Sequence, residues 1–506
     1  MHELVVRRIV LAAFLTSCSL DSGHSDQPGV DAGGHDGRDG GGPDAGVQID
    51  ARVRTDAGGG LDAGGLDARG GLDARGEPDA GGPPPPPVHG PQTMSDVHVD
   101  QSGEQAWIIH SSVADIHASP QVFTAHLGAY VPAAQTFLEV LDTTGTRGKK
   151  ILFPASDRLL LVTGRGTTQD VFVTIDTAAH RPVKQHTVPG DRFGFRLSPT
   201  GRAVLATNRP DSMLHVVGTE SLYDQPLPGV APAATAAWAS AQDVLYTVQV
   251  VDDSTQIHRF DLRTADLGQP LAPPVLVATI AGQGSAIVVS PDDRFAAVPL
   301  APSSGASLIA MIDLTTGAAT TVPDADDPSF TRDNRVVAWH ERPDLTHDLS
   351  IVDPASGAAT EPLATDLRFP QAIALRRRDL VIATSVVFGT AIDHSFLYRT
   401  TDGASTPLTD PVAPSSLFER PGHAELWIWE ESGPALSRID LATGAVVEMV
   451  RNVDSVDYRA ATDDIVIGTF DHSVRLFSMA TGQDLTEPFE LANPNDAPAP
   501  YKLGTE

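Results

Sequence analysis

Two histidines and two acids stand close together at His340, Glu341, His347 and Asp348, and Asp393 and His394 form a second such pair. Imidazole nitrogen and carboxylate oxygen are the donors that zinc and similar ions take. They also exchange protons near neutral pH. The spacing argues for less, because neither group has the short fixed interval of a known metal motif such as H-E-x-x-H. These six residues are therefore read as polar loop residues and as candidates for a binding face, with no metal and no cofactor assigned. PDADDPSFTRDN at 323–334 is acid-rich in the manner of a calcium loop, but it lacks the glycine and closing glutamate of an EF-hand. There is no G-x-S-x-G, no Walker A loop and no Cys–His zinc pattern, so no catalytic residue is assigned and no enzyme is expected. The remaining reactive group is Cys18, the single cysteine of 506 residues, which excludes an intramolecular disulfide.

The setting of Cys18 defines its chemistry. Arg7 and Arg8 precede an apolar run, Ile9 to Leu15, and the small residues Thr16 and Ser17 lead to the thiol. A charged start, a short apolar stretch and small residues describe a secretory signal over 1–17. The run is far shorter than the ~20 residues needed to span a bilayer. LTSC resembles the lipobox of bacterial lipoproteins. The resemblance implies that the Cys18 thiol carries diacylglycerol, that the chain is cut just before it, and that the new amino terminus is acylated too. Two or more acyl chains make a stable membrane anchor where one does not. Ser19, not aspartate, follows the cysteine, which in the best-known lipoprotein sorting rule permits outer-membrane delivery. The expected location is extracytoplasmic and lipid-anchored, in the periplasm or at the cell surface.

Residues 18–91 read as a tether. DAGG and DARG recur through DAGGGLDAGGLDARGGLDARGEPDAGG, and Leu61, Leu66 and Leu72 stand alone. Such a chain cannot offset its entropy by burial and is expected to be disordered, spanning roughly 45–50 Å root-mean-square. Pro83 to Pro87 form a stiffer collar beside the folded part. Aspartate in glycine-rich repeats also suits calcium β-rolls, but the period here is shorter than nine and the large apolar residue is irregular. The net charge is −30, and most of the excess follows Gly90. A surface this acidic repels phosphate backbones, so no nucleic-acid partner is expected.

The elements that must position His340 and its neighbours are repeats. One landmark is a polar turn before an apolar run: SPTGRAVLAT (198–207), SPDDRFAAVPL (290–300), TRDNRVVAWH (331–340) and ATDDIVIGTF (461–470). The other is an apolar strand ending at Asp176, Asp261, Asp313, Asp353 or Asp440 and followed by a turn, as in MIDLTTGAAT. The apolar runs are short, rich in Val, Ile, Leu and Phe, and bounded by Gly, Asp, Pro and Ser, which is strand chemistry. The interval of the landmarks lies near the ~40–45 residues of a four-stranded propeller blade. IGTFDHSVRLFSMATGQDL (467–485) resembles a WD-repeat blade, and the SPDDR-type turns are similar to those of periplasmic TolB-type propellers. These resemblances imply an all-β propeller of four-stranded blades. Eight copies fit 151–494, with seven blades as the next choice. Residues 92–150 are read as a partial blade or closing segment and 495–506 as a tail.

With strands A to D in each blade, the two landmarks are the A–B and C–D turns, which share one end of the propeller. The B–C and D–A connections share the other. The stretches 250–256, 302–307, 340–348 and 388–395 are read as long B–C loops. Long loops on a rigid frame are where binding usually sits. The expected activity is a non-catalytic scaffold that engages a protein partner on the B–C/D–A end, with the membrane held through Cys18. Two alternatives stand beside it: a small-molecule enzyme of the lactonase-like or quinoprotein-like propeller type, and an envelope component that binds glycan or peptidoglycan.

Overall fold

The computed structural model describes residues 93–503, except 101–103, 114–122, 132–133, 135, 166–167, 302–306, 345, 361, 368–370, 376–377, 388–390, 413–415, 421, 431–434, 460–461, 471–472 and 492–500. The expected signal, Cys18, the expected tether and most of the expected tail lie outside the described residues. Among the described residues no helix is long and apolar enough to cross a membrane.

The sequence forms strands that are covered on both faces. In the second blade, Arg158–Arg165 and Gln169–Asp176 each bury their whole central run. A sheet packed on both faces reads as an unbroken apolar run rather than as alternation. The outermost strand of the same blade, Arg181–Pro189, buries Val188 alone.

Among the described residues, nine antiparallel four-stranded sheets follow one another along the chain. Their innermost strands are Thr93–Val99, Arg147–Ala155, Arg192–Leu197, Thr235–Trp238, the broken pair Gln283–Gly284 and Val288–Val289, Ala325–Phe330, Gln371–Ala374, Ser416–Glu419 and Val453–Arg459. Each consecutive pair of sheets shares one apolar core. Trp107, Ile109 and Leu127 of the first blade meet Ile151, Leu161 and Val173 of the second. Trp427 and Trp429 of the eighth meet Val456, Ile465 and Phe477 of the ninth. The ring closes where Val466 and Leu476 of the ninth blade meet Val97, Ile108 and Tyr130 of the first. A short strand, Tyr501–Leu503, then pairs in parallel with the outer strand Thr136–Thr144 of the first blade.

The expected count of eight is therefore corrected to nine, above the 4–8 blades that are usual. The difference lies at 92–150. Thr93–Val99, Ala106–Val113, Phe123–Val131 and Thr136–Thr144 make a complete blade, not a partial one. Two B–C loops are also shorter than expected. Strands Val244–Val251 and Ser254–Asp261 leave only Asp252 and Asp253 as the turn, with Asp252 in the left-handed region at φ 56°. Strand Ala391–Arg399 absorbs most of 388–395.

Candidate functional site

Three adjacent strands of the first blade bring a polar cluster together near its B–C/D–A end. His110 pairs with His126, and His126 pairs with Asp142, so the three lie side by side across the sheet. Ser112, two residues beyond His110, shares their face. Glu139 and Asp142 are three apart and would normally face opposite ways. A bulge in the outer strand, where the partner of Leu127 is Leu141 and the partner of Gly128 is Glu139, turns both acids to one side. Val140 and Leu141 then both enter the core with the second blade.

The contacts are close. Ser112 Oγ lies 2.7 Å from His126 Nε2, and His126 Nδ1 lies 2.7 Å from Asp142 Oδ1. The rings of His110 and His126 stack with centroids 4.9 Å apart. His110 Nε2 stands 3.5 Å from Glu139 Oε1. Ligand atoms of His126, Glu139 and Asp142 all lie within 4.8 Å of one another. Burial pushes the Glu139 carboxyl up to about 7; His126 opposes the rise and Asp142 adds to it. Ser112, His126 and Asp142 stand in the order of nucleophile, base and orienting acid. Ser112, however, is only 5% exposed, and the imidazole faces two carboxyls and a second imidazole, which suits a cation better than an acyl group.

A second polar network joins the second and third blades at the same end. Lys149 Nζ donates to Asp170 Oδ1 and Asp191 Oδ1, each at 2.6 Å. The buried Arg192 donates from Nε to Asp224 Oδ1 at 3.1 Å, and its backbone N–H donates to Asp170 Oδ2 at 2.7 Å. Burial raises the Asp170 carboxyl above its usual range, although Lys149 and Arg192 oppose the rise. Every charge here has a partner, so the network fixes how the two blades meet.

The residues singled out in the sixth blade are divided between two faces. His340 pairs with Asp348, and Glu341 pairs with His347, on the hairpin Val336–Glu341 and His347–Val352. Neighbouring pairs in a strand point to opposite sides. Burial lowers the His340 imidazole, partly offset by the Pro323 carbonyl, Asp348 and Asp324. Arg342 Nη1 lies 3.6 Å from Asp348 Oδ1. The backbone of Asp393 and His394 belongs to the strand Ala391–Arg399 of the seventh blade; their side chains lie outside the described residues.

The two ends of the propeller differ. At the A–B/C–D end the repeated aspartates cap their own turns. Asp313 Oδ1 accepts from the N–H of Thr315 and Thr316 at 2.9 and 3.0 Å, and Asp440 Oδ1 accepts from Ala442 and Thr443 at 2.9 and 2.8 Å. These hydrogen bonds lower both carboxyls. At the B–C/D–A end large apolar side chains reach water: Phe193, Val250, Val251 and Phe470, the last 56% exposed. Arg209 stacks over Phe193 with its guanidinium carbon 5.2 Å from the ring centroid. Other exposed apolar residues include Val183, Val275 and Val447 on the outer strands of separate blades and Tyr223 in the C–D connection of the third blade.

The residues that the sequence did not single out are His110, Ser112, His126, Glu139 and Asp142. The available signal was a histidine inside each of two apolar runs, WIIHSS and FTAHLG.

The chain is similar to several solved structures. The tricorn protease matches with TM-score 0.38 and 12% identity over 78% of this chain, which spans 44% of that protease chain. A dihydro-heme d1 dehydrogenase matches with TM-score 0.45 and 14% identity, covering 67% of this chain and 74% of that one. TolB from Acinetobacter baumannii matches with TM-score 0.32 and 16% identity, covering 58% and 77%. At these identities the likeness is one of fold alone. No family model and no curated protein matches the sequence.

Proposed function

We propose that the protein is an extracytoplasmic scaffold, tethered by lipid on Cys18, that binds a protein partner on its B–C/D–A end. The observation that carries this reading is the contrast between the ends. Turn aspartates at one end are occupied by their own backbone. The other end exposes Phe193 beneath Arg209, together with Val250, Val251 and Phe470. Aromatic residues and arginine are the side chains that most often anchor a protein interface. The third and fourth blades are neighbours, so Phe193 and the Val250–Val251 pair belong to adjoining sectors of the rim. The acidic surface adds steering toward a basic partner.

The test is crosslinking of the full-length protein in its own cells, recovery from the membrane and mass spectrometry. The expected result is one stoichiometric partner that is lost from a Phe193→Asp, Val251→Asp, Phe470→Asp triple variant and kept in a variant of outer-strand Val183→Asp. Equal recovery from both variants would place the interface elsewhere. No recovered protein would move the reading to a small molecule or glycan. Replacing Cys18→Ser should abolish labelled-lipid incorporation and release the protein from the membrane.

A further inference from the structure

The structure assigns a divalent transition-metal site, best suited to zinc, to His126, Glu139 and Asp142 of the first blade, whose ligand atoms all lie within 4.8 Å of one another. This assignment is independent of the scaffold reading. One imidazole and two carboxylates are three of the nitrogen and oxygen donors that zinc takes, and three protein ligands leave the fourth position to water, whereas calcium and magnesium favour oxygen alone. The donors come from two hydrogen-bonded strands in register, so the frame that holds them is rigid. The bulge at Val140 serves the same arrangement, since an unbroken strand would turn either Glu139 or Asp142 away. Among the described residues Glu139 Oε2 is buried without a hydrogen-bond partner, a costly state for a carboxyl oxygen that a cation would relieve. The side chains of Glu139 and Asp142 keep 13% and 10% of their surface exposed, which leaves an edge for the ion to enter.

The hydrogen bonds already have the form of a ligand with its support. A carboxylate only accepts, so with no ion present the His126 proton sits on Nδ1, facing Asp142, and Nε2 accepts from Ser112. A metal on Nδ1 leaves the ring proton on Nε2. The Ser112 hydroxyl then turns from donor to acceptor, with no change in its partner. Metal-bound histidines commonly donate their other N–H to such an oxygen. Two ligands about 2.0–2.1 Å from a tetrahedral zinc stand roughly 3.3 Å apart. His126 Nδ1 and Asp142 Oδ1, at 2.7 Å, therefore part by about half an ångström to admit the ion.

The experiment uses full-length protein in detergent, purified without a histidine tag and stripped with a chelator. Zinc chloride is titrated calorimetrically, and cobalt chloride is followed by visible absorption. One equivalent of zinc and a tetrahedral cobalt spectrum are expected. Glu139→Gln and His126→Gln should each weaken binding at least ~100-fold, and Ser112→Ala by about 10–100-fold. His340→Gln should change nothing. Circular dichroism of the ion-free variants checks that they remain folded, and Glu139→Gln keeps the side-chain volume. Absence of zinc binding, or zinc binding that survives both Glu139→Gln and His126→Gln, would overturn the assignment.

Discussion

His98 shows what a single residue does at the seam where the ring closes. It lies on the inner strand Thr93–Val99, with Nε2 3.3 Å from Asp96 Oδ2 and Nδ1 3.3 Å from Asp457 Oδ2 of the ninth blade. Lys150 of the second blade stands 3.5 Å from Asp96 Oδ2. Burial alone would push the imidazolium down, and Lys150 acts the same way, but Asp96 and Asp457 raise it to about 9. Burial alone would raise Asp96, yet His98 and Lys150 hold it below the ordinary carboxylate range. The signs follow from linkage. His98, raised from 6.5, adds stability that is whole below about pH 6.5 and disappears as the pH passes 9. Asp96, lowered from 3.8, adds stability that is present above about pH 4 and is lost in acid. His98→Asn should therefore cost roughly 2–4 kcal/mol near pH 6. The difference from the natural protein should shrink toward zero by pH 10. Denaturant midpoints of both proteins at the two pH values test this; an equal loss at both would deny the imidazolium its role.

At the scale of the element, the C–D turn explains why the sequence repeats are visible at all. The chain leaves strand Ala435–Asp440, Asp440 caps the turn, and Gly444 returns its N–H to the Asp440 carbonyl at 2.8 Å. Gly444 has φ 72°, and an added Cβ would lie 2.1 Å from the Pro407 carbonyl oxygen of the seventh blade. Backbone conformation and close approach both demand glycine there. Gly444→Ala should cost about 1–3 kcal/mol, read as a lower melting temperature. Trp427→Ala removes a fully buried ring that meets Phe477 edge-on at 5.9 Å. It should cost about 3–5 kcal/mol. Such turns and unbroken apolar runs made the propeller and its strand order legible. The first blade escaped because Phe123–Val131 ends without an aspartate turn, and His126 and Gly128 dilute its apolar run. The same dilution hid the polar cluster. A histidine in a strand reads as a weak strand until its neighbours across the sheet are known, and register is a long-range property. The bulge that aligns Glu139 with Asp142 leaves no local mark. His340 and Glu341 stood out because they are adjacent in sequence, but adjacency in a strand sends side chains to opposite faces.

For the whole molecule, closure is the property that no single blade supplies. Eight of the nine apolar cores join sheets that are consecutive along the chain, while the ninth joins the first sheet to the last. That core forms only after the chain has gone round, so its loop-closure cost is the largest in the protein. Tyr501–Leu503 adds backbone pairing across it, with Tyr501 beside Leu141 and Leu503 beside Thr143. The seam is thus held by the apolar cluster, the His98 ion pairs and a parallel strand at the outer edge. Ending the chain at residue 500 removes this strand. Net values of about 0.5–1.5 kcal/mol per hydrogen bond make its loss worth roughly 2–3 kcal/mol, a fall of a few degrees in melting temperature. The distribution of the effect is the sharper test. Hydrogen exchange should quicken in Thr93–Val99, Thr136–Thr144 and Val453–Arg459, which border the seam, and stay unchanged in Val336–Glu341 and Leu380–Val387 across the ring. Uniform quickening would mean that the nine blades open as one unit and that the strand contributes only to global stability. Quickening confined to the seam would mean that the ring has a weakest joint, and that the metal-binding cluster of the first blade sits beside it.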